Sequence, residues 1–326
     1  MQFRNLGSQG PGISVLGVGA WAIGGPAGPF NWGPQNDDES IAALHRAFDA
    51  GINWVDTAAI YGLGHSEEIV GQVVRERGEG VLVFTKCGRN WYGGNERSPV
   101  NDLRPASIRF ELQQSLKRLG RDHVDLYQFH WPDTATGTPV EASWTTMAEL
   151  VEEGRVRWAG VSNFTVDLLE RCERIRHVDS MQPPLSLLNR GALREVLPWC
   201  QANGTGVIAY SPLQSGLLSG AFDAERLARL AEDDWRRRNP DFSEPRLSAN
   251  LALVERLRPI AGRHGVEVAA VAVAWVLEQP GVTGAIVGVR RPSQLDAWLT
   301  AGTLRLDARD LEEIAVALKE TGAGTD

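Results

Sequence analysis

The sequence predicts an α/β fold, a (β/α)8 TIM barrel, on three observations. Eight short runs rich in β-branched residues alternate with longer segments whose apolar residues recur at three and four positions. The 326 residues, 43% of them apolar, can bury one large core. No low-complexity linker interrupts them, so residues 1–326 read as a single domain.

The strands are expected at Val15–Val18, Ile52–Asp56, Val81–Lys86, Val124–His130, Val156–Ser162, Asp179–Gln182, Gly206–Tyr210 and Ala285–Val287. Helices between them are expected to include Glu39–Ala50, Ser66–Arg77, Pro105–Leu119, Val140–Glu153 and Thr165–His177. Gly51 and Gly154 stand where helix C-caps are wanted, and Pro105 where a first-turn proline is tolerated. Phe3–Arg4 and Ile13–Ser14, around a Gly-rich turn, suit a hairpin that plugs the barrel floor. Leu213–Ser248 is too long for an ordinary connection and reads as a lid or binding segment. After Leu306 comes one amphipathic helix, Ala308–Lys319, and a polar Gly-rich fringe expected to fray.

Composition narrows the function classes. The formal charge of −8, with both signs mixed along the chain, argues against nucleic acid as a partner. Cys87, Cys172 and Cys200 are too few and too scattered for a disulfide framework, which suits a reducing cytoplasm. No apolar run approaches the ~18 residues of a membrane span, and no signal-peptide pattern opens the chain. The expectation is a cytoplasmic protein whose partner is a small molecule, its oligomeric state open.

Barrel enzymes place their chemistry at the C-terminal ends of the strands and in the loops that follow. Here the second strand ends at Asp56, the third at Lys86 and the fourth at His130, and Tyr61 lies five residues beyond Asp56. Taken singly, Asp56 can cap a turn, Tyr61 and Lys86 can keep their polar ends solvated, and His130 can be a satisfied core histidine. Together they suit one reaction. A neighbouring ammonium favours an ionised phenol and so lowers its pKa. Lys86 can supply that charge to Tyr61, Asp56 can hold Lys86, and His130 can orient a substrate carbonyl and share in proton relay. A metal-dependent barrel is the rival enzyme, but no His-x-His pair or clustered acidic strand ends complete a ligand set, so no metal is expected.

These residues carry a resemblance. NWVDTAAIYGLGHSEEIVG from Asn53 to Gly71, TK at Thr85–Lys86 and FHWPD at Phe129–Asp133 resemble the aldo-keto reductases. The resemblance covers nearly the whole chain and implies a (β/α)8 barrel that reduces aldehydes and ketones with a nicotinamide cofactor. It makes Asp56, Tyr61, Lys86 and His130 the catalytic tetrad. VSNF at Val161–Phe164 then assigns Ser162 and Asn163 to the nicotinamide carboxamide, with Gln182 as a further partner. Tyr210 becomes the ring on which the nicotinamide stacks, Ser211, Pro212 and Leu213 the pyrophosphate cradle, and Trp21 and Asp56 further neighbours of the cofactor.

GVRRPSQLDAW, Gly288 to Trp298, resembles the clamp for the adenosine phosphate, through Gly288, Arg290, Arg291 and Gln294 before a helix start at Pro292. This favours NADP(H) and leaves NADH open. Two positions depart from the family pattern: Ala221 replaces a lysine that often follows a segment of this kind, and Trp298 replaces an asparagine on the adenine side. Arg236 in the long loop is a candidate to fold over the cofactor as a belt. Some barrels of this kind bind the nucleotide as regulatory or redox-sensing modules without turnover, with asparagine in the histidine's place; here His130 is retained.

Eleven tryptophans are many for this length, and Trp21, Trp32, Trp91 and Trp131 fall in loops at the catalytic end, where they can wall a substrate cleft. Trp54, Trp158 and Trp275 read as core. Asn31, Asn90, Tyr92 and Asn95 in the same loops suit a polyol or sugar-like ligand.

Overall fold

In the computed structural model, which describes residues 1–28, 31–232 and 234–324, a closed barrel of eight parallel strands forms the centre. A hairpin, β1 (Phe3–Asn5) and β2 (Gly12–Ser14), precedes it. The barrel consists of β3 (Leu16–Gly19), β4 (Trp54–Asp56), β5 (Leu82–Cys87), β8 (Val124–Phe129), β9 (Val156–Ser162), β10 (Ser180–Gln182), β11 (Gly206–Tyr210) and β12 (Val282–Gly288), and closes between β12 and β3. Each of the eight expected strands is present. A small antiparallel pair, β6 (Arg89–Asn90) and β7 (Val100–Asn101), rises from the loop after β5.

The helices outside the barrel are α1 (Asp37–Asp49), α2 (His65–Arg77), α3 (Pro105–Leu119), α4 (Val140–Glu152), α5 (Val166–Glu173), α6 (Val196–Asn203), α7 (Ala224–Ala228), α8 (Arg246–His264), α9 (Val268–Leu277) and α10 (Ala308–Thr321). The helix expected over Thr165–His177 is shorter at both ends. Thr165 caps it, and its last turn closes where the N–H groups of Ile175 and Arg176 both return to the Cys172 carbonyl. The stretch Leu213–Ser248 is not structureless: short 3₁₀ turns and α7 subdivide it, and its last three residues already belong to α8. Position 233 of that stretch, and positions 325 and 326 of the tail, lie outside the described residues. The tail does not fray through Gly324, because Arg190 donates to the carbonyls of Ala323 and Gly324 and Ala323 is buried.

A period of two sorts every strand into an outer and an inner row. Val55, Val83, Tyr127 and Phe129 face the helices and join the main core. The inner row is layered. Trp54, Phe84, Leu126, Ile208 and Ile286, with Leu6 and Ile13 of the hairpin region, form a dry floor. Trp54 fits because two of its neighbours are glycines: a Cβ on Gly17 would lie 2.2 Å from its ring, and one on Gly284 3.2 Å. Two residues further along β4, β5 and β8, the same inner row carries Asp56, Lys86 and Gln128. The polar layer thus follows from strand parity once the floor is set. The hairpin closes the lower end as expected, with Trp158 Nε1 donating to the Gln9 carbonyl.

Among the described residues no single helix is long and apolar enough to cross a membrane. The apolar α9, VAAVAVAWVL, is buried on all sides, and α8 meets it at 90°. Such all-round apolarity is what a helix enclosed by protein requires.

One outer helix also holds the catalytic end. Glu111 of α3, fully buried, accepts the Gly88 N–H with both oxygens, at 3.1 and 3.3 Å, and a hydrogen bond from Ser107. Burial outweighs those donors and pushes its carboxyl up to about 8. Between the ordinary value of 4.5 and about 8, the folded chain therefore holds a proton that the unfolded chain has released. Stability from this group is full below that window and is lost as pH rises through it, by about 1.4 kcal/mol per unit. Glu111→Gln should remove this slope. Thermal midpoints across the window should fall for the wild type relative to the variant, and parallel curves would contradict the assignment.

Candidate active site

Asp56 ends β4, Lys86 is the penultimate residue of β5, and His130 follows β8 directly. All three lie at the C-terminal end of the barrel. Tyr61 enters from the loop after β4, and a backbone approach holds that loop. Gly62 has φ +60°, and a Cβ on it would lie 1.9 Å from the Gly24 carbonyl oxygen, so the Tyr61 loop rests directly on the loop that bears Trp21. Ser66 reinforces the junction by donating to the Ala20 carbonyl at 2.8 Å and pairing with the Thr57 hydroxyl at 2.9 Å.

The four residues expected to act together do meet. Lys86 Nζ donates to Asp56 Oδ1 at 2.5 Å, to the Thr57 carbonyl at 3.0 Å and to the Tyr61 hydroxyl at 3.3 Å. The Tyr61 and His130 rings stand edge to face with centroids 5.6 Å apart. Lys86 and Asp56 are almost completely enclosed, at 1% and 3% exposure, so their charges must be paired to be tolerated.

Burial alone would push the Lys86 ammonium down, but Asp56 and then Tyr61 hold it above its usual value. For Tyr61 the expected direction is reversed. Burial pushes the phenol up, Lys86 opposes this and Asp56 reinforces it, and the result lies above the ordinary value. Desolvation is the largest of these effects, and Asp56 acts in the same direction. Tyr61 therefore stands protonated with a cation at its oxygen. Burial, then Lys86 and Arg89, push the His130 imidazole well below its usual value, so it is neutral at neutral pH and keeps one N–H to donate.

Asp56 has further partners. Its Oδ2 accepts from Gln182 Nε2 at 2.8 Å and from Gln128 Nε2 at 3.3 Å, and Gln182 also reaches Gln128 Oε1 at 3.3 Å. Sequence reasoning missed Gln128, whose only mark is a polar side chain inside the run VDLYQF. Room for it comes from Gly160 across the β8–β9 pair, where a Cβ would lie 3.2 Å from Gln128 Cγ.

The expected cofactor residues form a rim at the ends of β9 to β12. Ser162 donates to the Gln182 carbonyl at 2.8 Å and accepts from Asn163, which is held at φ +61°. Asn163 also donates to the His130 carbonyl and accepts the Tyr210 hydroxyl at 2.9 Å. Ser211 has φ +57°, so the chain turns sharply after β11, with Pro212 and Leu213 in the turn. A Cβ on Gly216 or on Gly288 would meet nothing within 4 Å, which leaves open backbone at both places.

Arg290, Arg291 and Arg236 concentrate positive charge at this end. Burial and then the other two arginines push the Arg290 guanidinium down. Open backbone beside clustered cations fits a phosphate-bearing ligand such as a nicotinamide dinucleotide. Part of the clamp is already engaged, however. Arg290 donates to Gln35 Oε1 at 2.7 Å and to the Pro34 carbonyl, and its own N–H is taken by Gln294. Arg236 pairs with Asp234 at 3.0 and 2.6 Å, while Arg291 is exposed. Pro292 opens a 3₁₀ turn, Pro292–Ala297, and not the expected helix. Trp298, at the second departure, is buried in the core.

Trp21 lies 6.3 Å from the Tyr61 ring, and Trp32 meets Trp21 edge-on at 5.2 Å. Trp131 is 42% exposed, and Trp91 stacks on Tyr92, which packs against Phe110 of α3. The asparagines expected to suit a polyol are engaged within the protein. Asn31 bonds the Gly28 carbonyl and the Gly33 N–H, Asn95 the Tyr92 carbonyl, and Asn90 the Tyr92 N–H, Ser107 and Asp102, so each holds its own loop. Tyr92 is likewise engaged, by Arg118. Trp235, from the long loop, completes the aromatic group and was not foreseen. It stacks on Trp21 with centroids 5.9 Å apart. Among the described residues no three His, Cys, Asp or Glu side chains group as metal ligands.

Comparison with known proteins places these residues in context. The profile of the Aldo/keto reductase family matches residues 15–319. The chain is 36% identical to "Aldo-keto reductase YhdN" of Bacillus subtilis (strain 168), over 98% of its own length and 95% of the relative's. It is 32% identical to "NADH-specific methylglyoxal reductase" of Escherichia coli (strain K12), over 96% and 98%. Its fold is similar to the structure of the glycerol dehydrogenase AKR11B4 from Gluconobacter oxydans, with a TM-score of 0.88 and 34% identity over 98% of this chain and 95% of the other.

Gln128→Leu should leave Asp56 with one donor fewer and loosen the pair that holds Lys86. A hydrogen bond to a charged group contributes about 1.5–3 kcal/mol, so kcat should fall roughly tenfold or more. Gln128→Glu should not rescue it. An unchanged kcat in the leucine variant would show that Gln182 and Lys86 hold Asp56 unaided.

Proposed function

Because this chain belongs to the aldo/keto reductase family, we propose that it interconverts an aldehyde or ketone and the corresponding alcohol with NADP(H), Tyr61 being the general acid and base. The observation that carries this reading is Lys86 Nζ lying 3.3 Å from the Tyr61 hydroxyl and 2.5 Å from Asp56 at the barrel mouth.

When bound, the reduced nicotinamide supplies a hydride to the carbonyl carbon. The chain does the rest. Tyr61, protonated in the resting site, gives its proton to the developing alkoxide. Lys86 stabilises the phenolate that remains, and this interaction grows as charge moves onto the oxygen, which is the condition for lowering a barrier. Asp56, fixed by Gln128 and Gln182, keeps Lys86 at that oxygen. Neutral His130 donates a hydrogen bond that orients the carbonyl.

Ser162, Asn163 and Gln182 would hold the carboxamide, Tyr210 the ring face, Ser211, Pro212 and Leu213 the pyrophosphate, and Gly288, Arg290, Arg291 and Gln294 the adenosine end. Arg236 would close over it, with Trp21 and Asp56 as further neighbours. Trp21, Trp32, Trp91 and Trp131 are proposed as substrate walls, Trp21 supported by its place near Tyr61 and Trp32 by its contact with Trp21. A small oxygenated carbonyl or polyol is the substrate class, in keeping with relatives named for methylglyoxal and glycerol.

Tyr61→Phe should abolish turnover of a broad aldehyde panel, read at 340 nm, while cofactor binding by calorimetry stays within a few fold. A variant that keeps most of its rate would mean that the acid lies elsewhere. A wild type that binds cofactor tightly but turns over no carbonyl would favour a regulatory nucleotide-binding barrel.

Arg291, the exposed arginine of the clamp, decides the cofactor. Arg291→Ala should weaken NADPH about tenfold and NADH much less, as expected for loss of one charge-assisted phosphate contact. Equal loss for both would remove the basis for preferring NADP(H).

A further inference from the structure

Trp235 opens a 3₁₀ turn, Trp235–Arg238, in the connection after β11. It is far in sequence from the catalytic end of the barrel's first strand yet lies against the connection that follows that strand, between β3 and α1. Its ring stacks on Trp21 at 5.9 Å with planes 27° apart, and Trp32 meets it edge-on at 5.6 Å. Trp32 also meets Trp21 edge-on, and Trp21 lies 6.3 Å from the Tyr61 ring. The three indoles therefore form one continuous roof, which reaches the proposed acid through Trp21. The turn is pinned next to Trp235: Arg236 lies over the Trp32 ring at 4.9 Å and makes a two-pronged pair with Asp234.

Within this roof, Trp32 Nε1 and Trp235 Nε1 are buried and have no hydrogen-bond acceptor among the described residues. Indole has a donor and no acceptor, and guanidinium is likewise donor-only, so the roof cannot satisfy itself with an ordinary hydrogen bond. A buried donor without a partner is costly, and because both N–H groups are closed off in this structure, the oxygen of a bound molecule reaches them, and removes that cost, only as the indoles part around it.

We propose that Trp235 is a specificity-determining residue, presenting with Trp32 indole N–H donors to a hydroxyl oxygen next to the reacting carbonyl, so that a hydroxylated aldehyde or ketone is preferred over its deoxy counterpart. This rests on the carbonyl-reductase reading given above. The oxygen is a neutral one, because Asp234 already balances the nearest cation. Selectivity of this type can be large, since a site with donors placed for a hydroxyl leaves them unpaired around an analogue that lacks it.

The test compares glyceraldehyde with propanal in the wild type, Trp235→Phe and Trp32→Phe. Phenylalanine keeps an aromatic face and deletes the N–H. The wild type should favour glyceraldehyde in kcat/KM by at least about tenfold, as one satisfied donor implies. In Trp235→Phe, kcat/KM should fall at least about fivefold further for glyceraldehyde than for propanal. An unchanged ratio would overturn the proposal and leave the indole N–H groups directed at neighbouring π faces. Equal losses on both aldehydes would overturn it too, since packing alone produces them. If the wild type turns over neither aldehyde, the reductase reading falls, and glyceraldehyde binding followed by tryptophan fluorescence still decides the roof's role. Saturable quenching that Trp235→Phe weakens at least about fivefold supports it; no quenching, or no change, refutes it.

Discussion

A lysine and an aspartate share the closed interior of a parallel barrel, and the catalytic end is built around the need to keep both charges paired. Lys86 and Asp56 have almost no contact with solvent. Removing either would strand the other in a medium of low dielectric, a loss that commonly amounts to about 3–5 kcal/mol. The site meets this demand fully. The Asp56 carboxylate receives Lys86, Gln182 and Gln128, and the ammonium also reaches the Thr57 carbonyl and Tyr61. Tyr61 thus completes the coordination of a charge that has to be satisfied in any case. Its position is a consequence of that pairing and also the basis of its proposed chemistry.

The layering beneath explains how a barrel core tolerates such a pair. Trp54, Phe84 and Leu126 fill the lower interior, and the next inward positions of the same strands are Asp56, Lys86 and Gln128. Glycines at 17, 160 and 284 give up side chains where Trp54 and Gln128 need the volume. The apolar floor keeps water from entering below, so the polar layer opens only towards the loops, where substrate and cofactor would arrive. The group of Trp21, Trp32 and Trp235 meets this layer where Trp21 approaches Tyr61.

Much of this was legible because strand parity and strand ends leave marks in a sequence. Asp56, Lys86 and His130 each close an apolar run, and Tyr61 follows at a fixed distance. Other features leave no such mark. Gln128 looks like an interruption of an apolar strand until its neighbour in register, Gly160, is known. Trp235 meets Trp21 only through the folding of a long connection, which has no periodicity to read. The asparagines of the top loops were legible as polar residues, but their role in holding their own turns depends on local backbone geometry. The direction of the Tyr61 shift depends on the balance of burial against two opposed charges, and residue identity alone does not set that balance.

The decisive measurement follows the hydrogen itself. Turnover of an aldehyde with reduced nicotinamide cofactor carrying deuterium on the transferring face of C4 should place one deuterium on the carbinol carbon of the alcohol, read by mass spectrometry. The label should arrive undiluted by solvent protons. Alcohol formed without deuterium, or with the label exchanged into water, would contradict direct transfer at the Asp56–Lys86–Tyr61 site.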